Sequence, residues 1–443
     1  MPLKKIPTNN NADSANATHK RWMQLDNAAK IYPAAKRRDW TALFRLSAEM
    51  TEAVDPQILF QAQCLTLLRF PGFALKLKRG LFWYYLEQHH GAPEIRGDVG
   101  NPCVRIKPSE NDGFLFRLRY YERRIALEVY HVLSDGAGGM SFMKTLLAEY
   151  LRLKYGAEIP RGSEILDCNE PTQQGELEDS YIKYAREIRH GRHEKNSYYI
   201  DGTPETDDFI HITSGIVPVK DILAKAKGYG VSLTEYLTAL MITAIDKIQR
   251  EEIHQTHRLQ PIKVCVPVNM RAFYPSITKR NFSYFVNIGI EPKYGQHSFE
   301  EILQIVRHQT GLEITEKMLN ARFSDNVRSE QAKILRIMPL FIKNFAMRLV
   351  FNRVGDRKTS TCLSNMGNTA LPEEMSKYIT RMDAILGPLS RNKVVCATIS
   401  CNGTMIINFT RTMKESILEK EFFRLLVKEG VPVKIETNAP AVD

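Results

Sequence analysis

The sequence has few of the features that mark secreted, membrane-spanning or metal-binding proteins. Its seven cysteines are odd in number and form no Cys-x-x-Cys pair, so neither a disulfide framework nor a zinc finger is expected. No apolar run reaches the roughly 20 residues that a transmembrane helix needs, and the first residues lack the apolar core of a secretory signal. We therefore expect a cytoplasmic protein with reduced cysteines and no metal.

Acidic side chains are fewer than basic ones. The chain has 50 Asp and Glu against 61 Lys and Arg, which gives a net charge of +11. A basic protein is suited to anionic partners such as nucleic acids, phosphorylated small molecules or acidic lipid headgroups. The sequence has no zinc-finger spacing, RNA-recognition signature or long Lys/Arg block, so we expect no nucleic acid. An anionic substrate, an acidic lipid surface and a generally basic exterior stay open.

The 443 residues suffice for two domains, and the hydrophobic content of 43% is that of a globular protein. Residues 1–25 are rich in Asn, Ala, Thr and Lys and are predicted to be a disordered tail. Residues 161–208 contain prolines, many carboxylates and few apolar runs, which indicates a linker or crossover. The halves on either side, residues 26–160 and 209–443, both alternate predicted strands and helices, so an α/β class is expected.

The segment Tyr130–Gly139, with the sequence YHVLSDGAGG, joins a predicted strand to a predicted helix. The strand, 125–130, is dense in β-forming residues, and the helix, 140–155, has apolar residues at helical spacing. Three glycines between them predict a turn with positive φ. An imidazole is the side chain best suited to move a proton near neutral pH. We therefore predict that His131 is a general base and that Asp135 holds the turn beside it.

The pattern His-x-x-x-Asp-Gly, from His131 to Gly136, resembles the signature of the coenzyme-A-dependent acyltransferase superfamily. This superfamily includes chloramphenicol acetyltransferase, alcohol acetyltransferases and the condensation domains of nonribosomal peptide synthetases. Condensation domains usually have a second His just before the first, where this chain has Tyr130, so the stand-alone acyltransferases are more similar. The resemblance implies an α/β (α+β) fold of two similar chloramphenicol-acetyltransferase-like halves. Each would be a mixed sheet with flanking helices, and an active-site tunnel would lie between them.

A second segment extends the resemblance. Residues 262–271 are predicted to form a buried strand that ends in Arg271, and a buried Arg needs an ion-pair partner. In the superfamily an Arg in a similar strand pairs with the motif Asp, which implies an ion pair between Arg271 and Asp135. The residues that follow, Phe-Tyr-Pro-Ser at 273–276 and Arg-Asn-Phe at 280–282, resemble the alcohol acetyltransferase branch.

A third segment, residues 359–367, is predicted to be a strand that ends in Ser-Asn-x-Gly. Strands with this kind of end occur late in chains of the superfamily. Acyl transfer needs a hydrogen-bond donor for the oxyanion, and Ser364 or Asn365 is a candidate for that role or for substrate contact. The same two residues also suit a plain turn.

The resemblance implies transfer of an acyl group, with acetyl favoured, from coenzyme A to an alcohol or amine through a ternary complex. A thioester is already activated and its thiol has a pKa of about 8.5, so no metal is required. Acyl-CoA would be a co-substrate rather than a bound cofactor, and the acceptor a small molecule or a lipid. Two alternatives are a stand-alone condensation-domain-like catalyst fed by an acyl-carrier protein, and a non-catalytic binding protein on the same fold. The intact His131, Asp135 and Gly136 argue against the last.

Residues 328–351 are predicted to be helical with a break at Pro339. They combine many apolar residues with basic ones such as Lys343 and Arg348. This composition fits a buried helix whose basic side chains reach solvent, and it also fits peripheral contact with a membrane surface.

Overall fold

The computed structural model describes residues 22–35, 40–188, 194–331 and 337–439. The strands in these ranges are β1 (Trp22–Gln24), β2 (Leu43–Met50), β3 (Leu75–Arg79), β4 (Tyr84–Gln88), β5 (Arg96–Gly97), β6 (Phe116–Tyr121), β7 (Arg124–Tyr130), β8 (His211–Pro218), β9 (Ile262–Asn269), β10 (Ser283–Ile290), β11 (Thr361–Asn368), β12 (Ile379–Leu386), β13 (Val394–Cys401), β14 (Thr404–Arg411) and β15 (Lys434–Thr437).

The helices in the same ranges are α1 (Ile31–Ala34), α2 (Pro56–Arg69), α3 (Gly136–Tyr155), α4 (Ser180–Tyr184), α5 (Val219–Gly228), α6 (Leu233–Glu252), α7 (Phe299–Glu313), α8 (Glu316–Gln331), α9 (Leu340–Val354), α10 (Glu373–Ser376) and α11 (Ile417–Lys428). None of these helices is both long enough and apolar enough to cross a bilayer.

The first half is built on a five-stranded sheet in the order β12-β2-β7-β6-β5. Strands β6 and β7 form an antiparallel hairpin, and β7 leads into the motif. Helices α2 and α3 pack on this sheet around a core of buried aromatic and aliphatic side chains. The sheet is mixed because β5 pairs parallel with β6.

The second half is built on a seven-stranded sheet in the order β10-β9-β11-β13-β14-β8-β15. It is also mixed, since β11 runs parallel to both of its neighbours. Helix α6 covers it with a buried face that includes Tyr236, Leu237 and Leu240. A capping box of Ser232 and Glu235 starts this helix. Two α/β halves with mixed sheets and flanking helices are therefore confirmed.

The boundary between the halves differs from the expectation in one respect. Strand β12 belongs by sequence to residues 209–443, yet it pairs antiparallel with β2 and completes the sheet of the first half. Its inward side chains, such as Met382 and Ala384, lie in the core of that half. The split at the linker is thus wrong for β12, because sequence order does not reveal which sheet edge a strand joins.

The predicted end of the disordered tail, at residue 25, is also wrong. Residues 1–21 lie outside the described residues, but Trp22–Gln24 forms β1, which pairs with β4 in a sheet of order β1-β4-β3. Asp26 follows it and is fully buried. The polar composition of residues 1–25 favoured a disordered tail. Composition does not show when a few residues of such a segment are buried between larger elements.

Candidate active site

His131 is the first residue after β7, and its backbone amide donates to the Ala42 carbonyl (3.0 Å). The imidazole lies between two aromatic rings. Tyr32 stacks on it with ring centroids 5.3 Å apart, and the Phe44 ring lies 4.7 Å away. The His131 carbonyl accepts a hydrogen bond from the Asn281 amide (2.8 Å). Two aromatic rings of the first half therefore hold the imidazole, and Asn281 of the second half holds the backbone of the same residue.

The imidazole is held in its neutral form. Burial lowers the pKa of His131 to about 4, against the opposing influence of the Asp135 charge, the Asn281 side chain and the Ser134 backbone. None of these groups makes a hydrogen bond to Nδ1, which is enclosed and has no partner among the described residues. A neutral imidazole has a lone pair available to accept a proton, as a general base requires.

Asp135 is the N-cap of α3, and both of its carboxylate oxygens are occupied by other groups. Oδ1 accepts from the Gly138 amide (3.0 Å), and Oδ2 accepts from Arg271 Nη1 (2.9 Å) and the Phe282 amide (2.8 Å). Burial alone would raise the pKa of Asp135, but the charge and hydrogen bond of Arg271 hold that pKa below its usual value. Within the described structure neither oxygen is hydrogen-bonded to the His131 ring, so Asp135 fixes the turn.

Arg271 lies in a short 3-10 turn, Met270–Ala272, directly after β9. Its guanidinium donates to the carbonyls of Thr278 (Nε, 2.9 Å) and Arg280 (Nη2, 2.6 Å) in addition to Asp135. The ion pair implied for Asp135 and Arg271 is thus present, and it joins the motif turn to the second half.

The glycines of the motif do not have the positive φ that the sequence predicted. Gly136 is the first residue of α3, and Gly138 and Gly139 belong to its first turn. They are needed for close approach instead. A Cβ at Gly138 would lie 2.1 Å from the Lys279 carbonyl oxygen, and one at Gly139 would lie 2.7 Å from the Phe44 ring. The glycines therefore let α3 start against the second half and against the aromatic ring beside His131.

Sequence reasoning missed three residues that hold this centre together. Asn281 donates through Nδ2 to the His131 carbonyl and to Asp26 Oδ2 (3.1 Å). Burial raises the pKa of Asp26 to about 6, against the opposing charge of Arg280. The Arg-Asn-Phe string was the only available signal for Asn281. Asp26 and the stacking Tyr32 had none, since they lie before the first predicted strand.

The two candidate oxyanion donors have different surroundings in β11. Asn365 Nδ2 donates to Thr234 Oγ1 (2.9 Å), while its Oδ1 accepts from the Gly367 amide (2.9 Å) and Thr398 Oγ1 (3.0 Å). These bonds hold the irregular end of the β11–β13 pairing. The Ser364 hydroxyl makes no hydrogen bond to a described residue, and Ser364 lines the same cavity as His131.

That cavity has a volume of about 2140 Å³ and is bounded by both halves. His131, Tyr32 and Phe44 line it from the first half, and Arg271 and Ser364 from the second. Ordinary small-molecule pockets measure roughly 300–1,000 Å³. The space is therefore larger than one ordinary small molecule fills.

The sequence matches no model of a known protein family and no curated protein sequence. The structure, in contrast, is similar to solved structures over nearly its whole length. Trichothecene 15-O-acetyltransferase TRI3 from Fusarium sporotrichioides superposes with a TM-score of 0.60 at 11% identity, over 94% of this chain and 96% of that one. Fusarium graminearum TRI101, solved with coenzyme A and deoxynivalenol, gives 0.59 at 12% identity, over 93% and 99%.

The first condensation domain of the CDA synthetase is similar as well, with a TM-score of 0.57 at 13% identity, over 92% of this chain and 96% of that domain. The predicted fold is therefore confirmed: the chain has the architecture common to these acetyltransferases and condensation domains. At such low identity the similarity establishes the fold alone, and the chemistry has to be argued from the residues of this chain.

Proposed function

We propose that the protein is an acyltransferase that moves an acyl group, with acetyl favoured, from coenzyme A to an alcohol or amine. The observation that carries the proposal is the neutral His131 imidazole in a cavity larger than one ordinary small molecule fills. Two further findings support it: the fold is that of TRI3 and TRI101, and the His-x-x-x-Asp-Gly motif is built into that fold as a rigid turn.

His131 acts as the general base in a ternary complex. It takes the proton from the acceptor O–H or N–H while the oxygen or nitrogen attacks the thioester carbonyl carbon. The tetrahedral intermediate then collapses, the C–S bond breaks, and the imidazolium returns the proton to the departing thiolate. The products are the ester or amide and free coenzyme A. A positioned base of this kind contributes about 10²–10⁴-fold to the rate.

The negative charge on the tetrahedral oxygen needs a donor, and we assign that role to Ser364. Its hydroxyl lines the cavity and is not engaged by another described residue, whereas the Asn365 amide is bound to Thr234. Loss of one oxyanion donor typically costs about 10²–10³-fold in kcat. Ser364→Ala should therefore lower kcat by up to that amount and affect KM less.

The test is thiol release from acetyl-CoA by the purified protein with a panel of alcohols, amines and sterol-like acceptors, each assayed without acceptor as well. Acceptor-dependent release of free coenzyme A with formation of the ester or amide is expected. Release from an acyl-carrier protein but not from acyl-CoA would replace the proposal with the condensation-type alternative. No release from either donor, in a protein that still binds coenzyme A, would indicate a binding protein.

A further inference from the structure

Helix α9 has one face towards the cavity and an apolar face towards solvent. Leu340, Asn344 and Met347 lie on the face that lines the cavity. On the other face, Phe341 and Phe345 are 63% and 66% exposed, one helical turn apart. A helix that separates a cavity from water normally presents polar residues outward. The outward apolar stripe of α9 therefore indicates that this face contacts something other than water.

The turn between β3 and β4 extends the stripe. Leu81 is 73% exposed and Trp83 is 48% exposed. The turn is fastened to α9: the Leu340 amide donates to the Leu81 carbonyl (2.9 Å) and Lys343 Nζ donates to the Phe82 carbonyl (2.8 Å). We call the exposed apolar side chains of this turn, of α9 and of the residue Ile337 that precedes α9 the mouth patch, which consists of Leu81, Trp83, Ile337, Phe341, Ile342, Phe345 and Leu349.

The mouth patch adjoins the cavity. Trp83 is half-exposed on the protein surface and also lines the cavity. Lys343 lines the cavity as well and is bonded to the patch turn. The patch and the cavity therefore meet at Trp83 and Lys343.

The two segments that form the mouth patch carry charges of one sign. Residues 75–86 and 337–349 contain no Asp or Glu, and they carry Lys76, Lys78, Arg79, Lys343 and Arg348. The nearby Glu87 is paired with Lys76 and Lys78. Arg79 and Arg348 form no ion pair with a described residue, and both are exposed. The surface that complements this arrangement is apolar at its centre and anionic around it.

A lipid bilayer with acidic headgroups has those properties. Trp, Phe and Leu side chains enter the headgroup boundary while Lys and Arg meet anionic headgroups. A second copy fits poorly, because a two-fold contact through the same patch would oppose its basic side chains to one another. We propose that the mouth patch seats the protein on an anionic membrane surface, with the adjoining side of the cavity facing the lipid. The proposal does not depend on the reaction that the protein catalyses.

The first test is co-sedimentation of the full chain with vesicles of phosphatidylcholine alone and of phosphatidylcholine with phosphatidylserine. We expect binding to the anionic vesicles that weakens as salt is raised. Phe341→Ser combined with Phe345→Ser should reduce binding about tenfold or more, and Arg348→Glu should reduce binding to anionic vesicles. Because these side chains are exposed, the melting temperature should not change. The matched control is Leu312→Ser on α7, which is 72% exposed and should bind as the unmodified protein does.

The second test locates the contact. Lipids brominated in their acyl chains should quench the fluorescence of Trp83, and Trp83→Phe should remove that quenching. Failure to bind anionic vesicles overturns the proposal, and so does unchanged binding by the double Phe variant. A dimer in solution that the double Phe variant converts to a monomer, without vesicle binding, would assign the patch to self-association. Salt-sensitive capture of an acidic acyl-carrier protein by the patch, without vesicle binding, would assign it to that partner and would also overturn the proposal.

Discussion

At the scale of single residues, His131 contributes little to the packing of its surroundings. Its Nδ1 has no hydrogen-bond partner among the described residues, and Tyr32 and Phe44 are anchored in elements of their own. We predict that His131→Ala lowers kcat by about 10²–10⁴-fold while the melting temperature stays within a few degrees. Steady-state kinetics and calorimetry test this, with the exposed His257→Ala as control. An alanine variant that keeps most of its rate would remove His131 from the mechanism.

The pH dependence follows from the lowered pKa of His131. With a pKa of about 4 rather than 6.5, the imidazole stays neutral well below pH 6.5. We predict that kcat/KM is level from pH 8 down to about 5 and falls as the pH approaches 4. A rate that halves near pH 6.5 would mean that the imidazole is solvated.

The same shift has a consequence for stability. The folded pKa of His131 lies below its unfolded value of 6.5, so its contribution is present above pH 6.5 and is lost as the pH falls towards 4. Asp26 acts in the opposite direction. Its pKa is about 6 in the folded state and 3.8 in the unfolded state. Its contribution to stability is therefore fully present below pH 3.8 and is lost as the pH rises through 6. Denaturant unfolding of His131→Ala between pH 4 and 7 should show a weaker dependence on pH than unfolding of the unmodified protein.

The ion pair of Asp135 and Arg271 is predicted to be structural. Removing one member of a buried pair leaves an unpaired charge and typically costs about 3–5 kcal/mol. Asp135→Ala and Arg271→Ala should each lose stability on this scale, with activity lost as a consequence. The double variant should lose less than the sum, because no unpaired charge remains. A double-mutant cycle in denaturant measures this coupling. Additive losses, or a stable but inactive Asp135→Ala, would favour a triad in which Asp135 orients the imidazole.

The residues that could be foreseen were those with a local signal. His131, Asp135 and Gly136 lie close together in the chain. Arg271 is a charged residue at the end of an apolar run, where a buried guanidinium needs an ion-pair partner. Asn281 and Tyr32 reach the same point in space only through the packing of β10 and of the segment before β2. Their roles depend on tertiary contacts, which a single sequence does not encode locally.

At the scale of elements, the start of α3 is constrained by the second half. Replacing a helical glycine by alanine normally stabilises by up to about 1 kcal/mol. At Gly138 the new Cβ would lie 2.1 Å from the Lys279 carbonyl oxygen and 2.2 Å from Ser134 Oγ. These two atoms already form a hydrogen bond, in which Ser134 Oγ donates to the Lys279 carbonyl (2.6 Å). We predict that Gly138→Ala lowers the free energy of unfolding by about 1–3 kcal/mol, the usual cost of overpacking, or by more.

The matched control for that prediction is Gly136→Ala. Its Cβ would meet only the flexible end of Met366, at 3.0 Å, so the free energy of unfolding should change little. Denaturant midpoints of the two variants provide the comparison. Equal effects at both positions would mean that the glycines serve backbone flexibility rather than close approach.

Elements with strong periodicity or an explicit cap were predictable, and elements placed by long-range pairing were not. Helix α6 has both an apolar face and the capping box of Ser232 and Glu235. Strand β12 could be predicted as a strand, but its partner β2 lies more than 300 positions away in the chain, and edge pairing has no local signature. The glycines after Asp135 were assigned the wrong physical role, because composition cannot distinguish positive φ from close approach.

At the scale of the whole molecule, β12 makes the two halves dependent on each other. Met382 and Ala384 come from the second half of the sequence but are buried in the core of the first. The pair of Asp135 and Arg271 adds a charged link between the halves beside the motif. Unfolding the second half would therefore remove an edge strand and an ion pair from the first. We infer that the protein unfolds as one cooperative unit despite its size.

This inference can be tested because the three tryptophans, Trp22, Trp40 and Trp83, all lie before α3. Their fluorescence reports on the first half and, through Trp83, on its contact with α9, whereas far-ultraviolet circular dichroism reports on both halves. The two denaturant transitions should coincide. Leu240→Ala, in the buried face of α6, should cost about 2–5 kcal/mol and move the fluorescence transition together with the dichroism. Leu146→Ala in α3 should do the same from the other side. If Leu240→Ala left the tryptophan transition in place, the halves would unfold separately. The pairing of β12 with β2 would then not couple them.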